Sequence, residues 1–442
     1  MRRVYTALLY VLTPVILLRL LWRGIRSPGY LHRWRERFGY FDAPADIQGC
    51  IWVHGVSVGE VNAAVPLVRR LRERHPGRPV ALTTVTPTGS AQVQQVFGDS
   101  VFHVYAPYDL PDAVERFLEA LKPCIAVVME TEIWPNLYHA CRQAEIPLVM
   151  ANGRVSVSSV RGYHHARKLF SPALACVSAV AAQSREDAER LIALGVPADR
   201  VEVSGSVKFD ISLPERLVDE GLAMRREWGQ HRPVWIAAST HEGEDEPVLD
   251  AFDRIRLHYP GTLLLLVPRH PERFGRVAAL CRKRGYRMVQ RSRNETPGHD
   301  TQLFLVDTMG ELPLFYVPAD IAFVGGSLVP VGGHNVLEAS ALGKPVIVGP
   351  HTFNFSEITD ALFAVGAALS ARDGDMLGDK IIELFGDPGR CREIGQAGQQ
   401  VVYENRGALE RMLEVIERHM PDDGKGEEQR REAVAKSRLP QG

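Results

Sequence analysis

Apolar and polar positions along the chain follow two periods. From Gly49 onward, short continuous apolar runs occur at 51–54 ("IWVH"), 80–85, 101–106, 125–130, 147–152, 176–183 and 200–205. Between them lie stretches whose apolar residues recur three and four apart, as in "DAVERFLEALK" at 112–122. Continuous runs of this length suit strands buried on both faces, and the three–four spacing marks one face of a helix. The pattern therefore predicts parallel strands covered by helices. A second series, at 233–239, 262–268, 286–290, 303–307, 321–326 and 345–350, follows the helical stretch "ISLPERLVDEGLAMRREWG". Single cores stop growing near about 250–300 residues, so 442 residues predict two Rossmann-like α/β domains, 26–207 and 208–420. The seam falls around Lys208 to Pro214. In such sheets ligands bind beyond the carboxyl ends of the strands, so an interdomain cleft lined by post-strand turns is expected.

The first 25 residues break this pattern. Val4 to Leu18 carries no charge, and the apolar character continues to Trp22 past Arg19. A spanning helix needs about 20 apolar residues, so the segment is borderline, and Pro14 would kink it. No A-x-A cleavage signal follows, which disfavours a removed signal peptide. Arg19, Arg23, Arg26, Arg33, Arg35 and Arg37 come next, with Glu36 the only acid among them. Such a flank places the following domain on the cytoplasmic side and suits anionic head groups, so residues 1–25 are read as a membrane anchor or an interfacial helix. At the other end, 421–442 is charged, lacks an apolar stripe and is expected to be a flexible tail. Net charge is −1, which gives no support to a nucleic-acid partner. The six cysteines form no C-x-x-C pair and read as reduced core residues.

Candidate chemistry gathers in the turns. In the first half these are "HGVSVGE" (54–60), "TPTGS" (86–90), "ETEIWPN" (130–136) and "NGRVS" (152–156). In the second they are "STHEGE" (239–244), "PRHPER" (268–273), "DTMGELP" (307–313), "GGSLVPVGGHNVLEAS" (325–340) and "GPHTFNFSE" (349–357). The second set reads as an anion site: Gly332-Gly333 permits close backbone approach, a helix beginning near Asn335 offers free N–H groups, and Arg269 supplies charge. The alternative is that these glycines only make tight turns. No Walker lysine is present, which disfavours phosphoryl transfer from ATP.

The first set is acidic. Its opening turn lacks G-x-G-x-x-G spacing and ends on Glu60 where such folds usually hold an anion. Glu60, Glu130 and Glu132 follow two different strands and could converge. Alternatively, each is a helix-terminal charge contributing about 0.3–1 kcal/mol. A helix end should also lower the pKa of Glu60, at a cost in basicity that acceptor binding and cleft closure would have to restore. The carboxylates have no neighbouring aspartate pair and the histidines no H-E-x-x-H spacing, so metal binding is disfavoured. His164-His165 reads as surface, and without a G-x-S-x-G elbow Ser57 is a poor nucleophile.

Taken in order, "HGVSVGEV", "ETEIWPNL", "GSVKFD", "PRHPER", "MGEL" and "GGHNVLEAS" resemble the motifs of the 3-deoxy-D-manno-octulosonic acid (Kdo) transferases of lipopolysaccharide assembly. The match runs from the N-terminal segment to about residue 420. The resemblance implies a GT-B fold and a metal-independent, cofactor-free, inverting transfer of Kdo from CMP-Kdo to the lipid A precursor, lipid IVA. It implies Glu60 as general base, with Glu130 and Lys208 assisting at the transition state. It further implies CMP contacts from Pro268, Arg269, Gly310, Glu311, Leu312, Asn335, Val336, Leu337 and Glu338, and a site of action at the inner-membrane phospholipid surface, on its cytoplasmic face. Gly55 stands where the family commonly has Ala, and "NGRVS" replaces "NARLS" while keeping Arg154. The rival readings are another GT-B transferase, a nucleotide-sugar epimerase, and a silent sugar-nucleotide sensor.

Overall fold

The computed structural model describes residues 1–156, 159–160, 162–163, 166–211 and 213–421, apart from the side chain of Arg26. The expected tail from 422 and the pair His164-His165 lie outside the described residues. Two compact units are present: Met1–Val207 joined by the segment from Gly407, and Lys208–Arg406.

Among the described residues the first unit holds seven strands: β1 (Ile51–His54), β2 (Val80–Thr84), β3 (Phe102–Tyr105), β4 (Ile125–Met129), β5 (Leu148–Gly153), β6 (Ala179–Ala182) and β7 (Val201–Val203). They form one parallel sheet in the order β3-β2-β1-β4-β5-β6-β7, with Ile51 in register with Val80 on one side and Ile125 on the other. Trp52, Val128 and Met150 pack on one face with Phe117, Leu121 and Tyr138. Ile51, Val53, Val127 and Val149 pack on the other with Leu67, Val68 and Leu71 of the helix Val58–Arg74. Burial on both faces is why the central strands read as nearly unbroken apolar runs.

The second unit repeats the plan with β8 (Val234–Thr240), β9 (Leu263–Pro268), β10 (Met288–Gln290), β11 (Leu303–Leu305), β12 (Ile321–Val324), β13 (Val346–Val348) and β14 (Ala368–Ser370). All are parallel, in the order β10-β11-β9-β8-β12-β13-β14. The edge strand β14 has three residues and was not visible in the apolar pattern.

The strand order reverses between β1 and β4 in one sheet and between β8 and β12 in the other. At such switch points the flanking turns diverge and leave a crevice at the carboxyl edge.

One boundary differs from the expected 208–420 domain. The helix Ala408–Glu417 places Met412, Leu413, Val415 and Ile416 in the first unit's core beside Val61 and Leu67. Arg70 and Arg74 on the helix Val58–Arg74 pair with its Glu410, and Arg74 also reaches Glu417 at 3.1 Å. Its four-residue apolar stripe finds cover there.

The N-terminal helix Arg2–Arg26 lies along the first unit. Tyr5 Oη donates to Asp109 Oδ2 (3.0 Å), Thr6 Oγ1 to Asn136 Oδ1 (3.0 Å) and Tyr10 Oη to Asp112 Oδ1 (2.5 Å). Its outward face carries Val4, Leu8, Val11, Val15, Leu18, Trp22 and Ile25, all exposed. Arg2–Ile25 is long and apolar enough to cross a membrane by length and composition. All six cysteines are free, and Cys50, Cys141, Cys176 and Cys281 are buried.

Candidate active site

At the first switch point the chain leaves β1 through Gly55 and Val56 and enters the helix Val58–Arg74 with Ser57 as its N-cap. Ser57 Oγ accepts the Glu60 N–H (3.5 Å) and donates to Glu60 Oε1 (3.1 Å), while the Val56 N–H donates to Oε2 (2.6 Å). This resembles an S-x-x-E capping box, except that the third helical residue folds back onto the N–H of the residue before the cap, Val56. The cap therefore holds the Glu60 carboxylate in one orientation.

Glu130 follows β4, beside β1, and has φ of +55°. Left-handed backbone at a non-glycine residue costs about 1 kcal/mol or more and persists where the surrounding structure enforces it. Here the Glu130 N–H is fixed to the Ala151 carbonyl at 2.9 Å. Two residues on, Glu132 Oε2 accepts from Trp134 Nε1 at 3.0 Å, and Thr131 Oγ1 donates to the Arg154 carbonyl. Glu60, Glu130, Thr131, Glu132, Arg154 and Tyr163 line one cavity of about 220 Å³. The three glutamates expected to converge do so.

The electrostatics differ from expectation. Burial pushes the Glu60 carboxyl up to about 7. The Val56 N–H pulls against this, the charges of Glu132 and Glu130 add to it, and the Ser57 hydroxyl again opposes it. Desolvation thus outweighs the hydrogen bond from the helix end. Burial also raises Glu132, with Trp134 opposing and Glu130 adding.

Lys208 opens the second unit within the short turn Val207–Phe209, its ammonium 5.7 Å from the Phe355 ring centroid. Glu60 and Glu130 belong to the first unit and Lys208 to the second.

In the second unit the donor-contact candidates sit at the carboxyl ends of neighbouring strands. Arg269 is exposed just after β9, its N–H bonded to the Thr240 carbonyl at 3.0 Å. After β12 the helix expected near Asn335 runs over five residues, Leu337–Ala341. The Asn335 side chain accepts from the Leu337 N–H (3.1 Å) and donates to Glu338 Oε1 (3.3 Å). Burial raises the Glu338 carboxyl, while Asn335 and the charge of Arg269 pull it back, so the two loops share one electrostatic field. Gly310, with φ of +83°, and Glu311 follow β11. Arg291 grips Glu311 at 2.6 Å and 3.1 Å and, with Thr308, holds its carboxyl below the usual range. Pro268, Val336 and Leu337 are buried and Leu312 packs on the core. A ligand at this edge meets these four chiefly through their main chain.

The sequence did not single out Glu244. Fully buried, it accepts four backbone N–H groups: His241 (2.8 Å) and Gly326 (2.7 Å) on Oε2, Ser327 (3.0 Å) and Leu328 (2.9 Å) on Oε1. It ties the turn after β8 to the glycine-rich loop after β12. A Cβ at Gly325 would stand 2.8 Å from the Ser239 carbonyl and 2.9 Å from Glu244 Oε2, so only glycine fits. Above this clamp His241 and His334 stack with Nε2 atoms 2.7 Å apart, and His270 sits edge-on to His241. Burial, with neighbouring His241, Arg269 and His270, pushes His334 down to about 4. The "STHEGE" turn was visible, but its partners lie more than 80 residues downstream.

Comparison with known proteins adds three findings. The family described as 3-Deoxy-D-manno-octulosonic-acid transferase (kdotransferase) matches residues 32–211, and Glycosyl transferases group 1 matches residues 250–401. The 3-deoxy-D-manno-octulosonic acid transferase of Haemophilus influenzae is 43% identical over 94% of this chain and 98% of its own, and that of Bordetella pertussis 40% over 94% and 99%. Among solved structures, the UDP-GlcNAc 2-epimerase of Neisseria meningitidis matches with a TM-score of 0.54 over 84% of this chain and 99% of its own, at 15% identity. That likeness speaks for the fold alone, the GT-B architecture of two Rossmann-like units.

Proposed function

Because the chain belongs to the 3-deoxy-D-manno-octulosonic acid (Kdo) transferase family, we propose that this glycosyltransferase moves Kdo from CMP-Kdo to a sugar hydroxyl of lipid IVA, with inversion and without a metal. Glu60 takes the hydroxyl proton. The freed oxygen attacks the anomeric carbon of Kdo on the face opposite the phosphate, and CMP departs with the bonding electrons. The observation that carries this reading is the Glu60 carboxyl, fixed by Val56 and Ser57 and raised to about 7. A base near the working pH combines an available ionised form with real proton affinity.

Glu130 and Lys208 assist at the transition state: Glu130 keeps Glu60 basic through its charge, and Lys208 meets negative charge. Arg269 and the backbone N–H groups of Asn335 and Val336 receive the leaving phosphate, where preorganised donors contribute most. Pro268, Gly310 and Leu312 offer main-chain contacts to CMP, and Glu311 and Glu338 offer carboxylate acceptors for its ribose and base. The apolar outward stripe of the N-terminal helix supports attachment to the cytoplasmic face of the inner membrane. The hydrogen bonds of Tyr5, Thr6 and Tyr10 to the first unit support a helix lying in the interface rather than spanning.

The test is incubation of the purified chain with CMP-Kdo and lipid IVA in the presence of a chelator. The expected product is lipid heavier by whole Kdo units, of inverted anomeric configuration, with CMP released. Turnover of UDP-sugars instead, or a demand for added divalent metal, refutes it.

A further inference from the structure

The arginines that follow the N-terminal helix do not share one role. Arg33 is paired with Glu36 at 2.6 Å and donates to the His103 carbonyl. Arg35 stacks on Tyr40, 5.8 Å from its ring centroid. Arg37 is different. It is 2% exposed, and its Nε and Nη2 are buried with no hydrogen-bond partner among the described residues. Its guanidinium lies 4.2 Å from the Tyr105 ring centroid, which offers a π-face but no countercharge. The adjacent Glu36 is already engaged, Oε1 by Arg33 and Oε2 by the Tyr105 N–H at 2.8 Å.

Arg37 faces a cavity of about 260 Å³ whose lining includes Arg19, Arg23, Tyr30, Tyr108 and Thr86 and contains no carboxylate. A buried, unpaired guanidinium costs several kcal/mol, and two further arginines add repulsion. An arrangement of this kind is completed by an anion, and a phosphate matches the guanidinium fork in geometry and charge.

The cavity's position narrows the source. Ile16 and Leu20 of the apolar helix form one wall and Val85 another. The Val85 N–H donates to the Val56 carbonyl at 3.2 Å, and the Val56 N–H in turn holds Glu60 Oε2. The arginine pocket thus lies between the lipid-facing helix and the reactive carboxylate, one backbone hydrogen bond from the turn that positions it.

We infer that Arg19, Arg23 and Arg37 form a binding site for a phosphate group on the sugar head group of the lipid acceptor. Only the assignment to the acceptor rests on the proposed function. The full chain in neutral detergent tests both parts, comparing wild type with Arg19→Gln/Arg23→Gln and Arg37→Lys, with CMP affinity as the check of folding. Thermal protection is read with inorganic phosphate, short-chain phosphatidic acid and short-chain phosphatidylcholine at matched ionic strength. Phosphatidic acid should protect the wild type, phosphatidylcholine should not, and the variants should bind phosphatidic acid about tenfold more weakly, a change of about 1.4 kcal/mol. In transfer assays the variants should raise KM for phosphorylated precursor about tenfold at nearly constant kcat, and leave dephosphorylated precursor unaffected. Weakened phosphatidic acid binding with unchanged KM would overturn the acceptor assignment in favour of bilayer phospholipid. Equal protection of wild type and variants would overturn the site itself. Phosphate binding without any transfer would count against the proposed function alone.

Discussion

Replacing Glu60 by Gln separates two consequences of its environment. Gln can serve in the capping box as Glu does, so the Val56 and Ser57 contacts keep a partner and the helix start is retained. What changes is charge. The carboxyl is raised from an ordinary 4.5 to about 7, so the folded first unit prefers it protonated. The stability contributed by this preference is full below about pH 4.5 and is lost as pH rises through about 7. The shift corresponds to about 3 kcal/mol at most, and partial exposure reduces it to about 1–3 kcal/mol. Relative to wild type, Glu60→Gln should therefore be nearly neutral at pH 4.5 and more stable by about 1–3 kcal/mol at pH 8, a Tm difference of about 2–6 °C. Over the same range wild-type transfer should rise with pH with a midpoint near 7, while the variant loses about 10²–10⁴-fold in rate. Melts at the two pH values, read alongside rates, check this. A stability difference that does not grow with pH, or a flat wild-type rate between pH 5.5 and 8, would refute the assignment of burial as the dominant effect.

Three further outcomes are expected. Glu130→Gly should melt higher than Glu130→Ala by about 1 kcal/mol, because only glycine relieves the left-handed backbone at this position, while both variants lose most of the transfer rate. Glu244→Ala strands four backbone donors and should destabilise the second unit by about 3 kcal/mol or more; calorimetry and CMP titration should show the loss of stability and of affinity together. The double change Leu8→Glu/Val11→Glu, on residues 53% and 73% exposed, should abolish binding to anionic vesicles and leave the melting temperature within a degree or so.

The parts of the molecule that depend on local pattern were legible in the sequence. Trp52 and Ile51 point to opposite, equally buried faces, so β1 had to read as an unbroken apolar run, and the same holds for the central strands β4 and β5, whereas the edge strands β7 and β14 are partly exposed. Glu60 was legible because a carboxylate in the turn after the first strand is out of place in a phosphate-binding fold. Features created by long-range burial were not legible. The raised Glu60 carboxyl depends on two glutamates 70 residues away and on the desolvation of the crevice. Glu244 acquires meaning only when the loop after β12 arrives to donate to it. The isolation of Arg37 depends on Glu36 being claimed by Arg33 and Tyr105, which no count of basic residues reveals. The helix Ala408–Glu417 was assigned by chain order, whereas its apolar stripe is covered in the first unit.

The most direct test sets CMP binding against Kdo transfer in Glu60→Gln, with the same preparation used for both. The variant should bind CMP with wild-type affinity, since its donor loops are untouched, and should leave lipid IVA unmodified on the time scale in which the wild type consumes it. Kdo transfer by the variant at near wild-type rate would contradict the claim that this side chain accepts the proton.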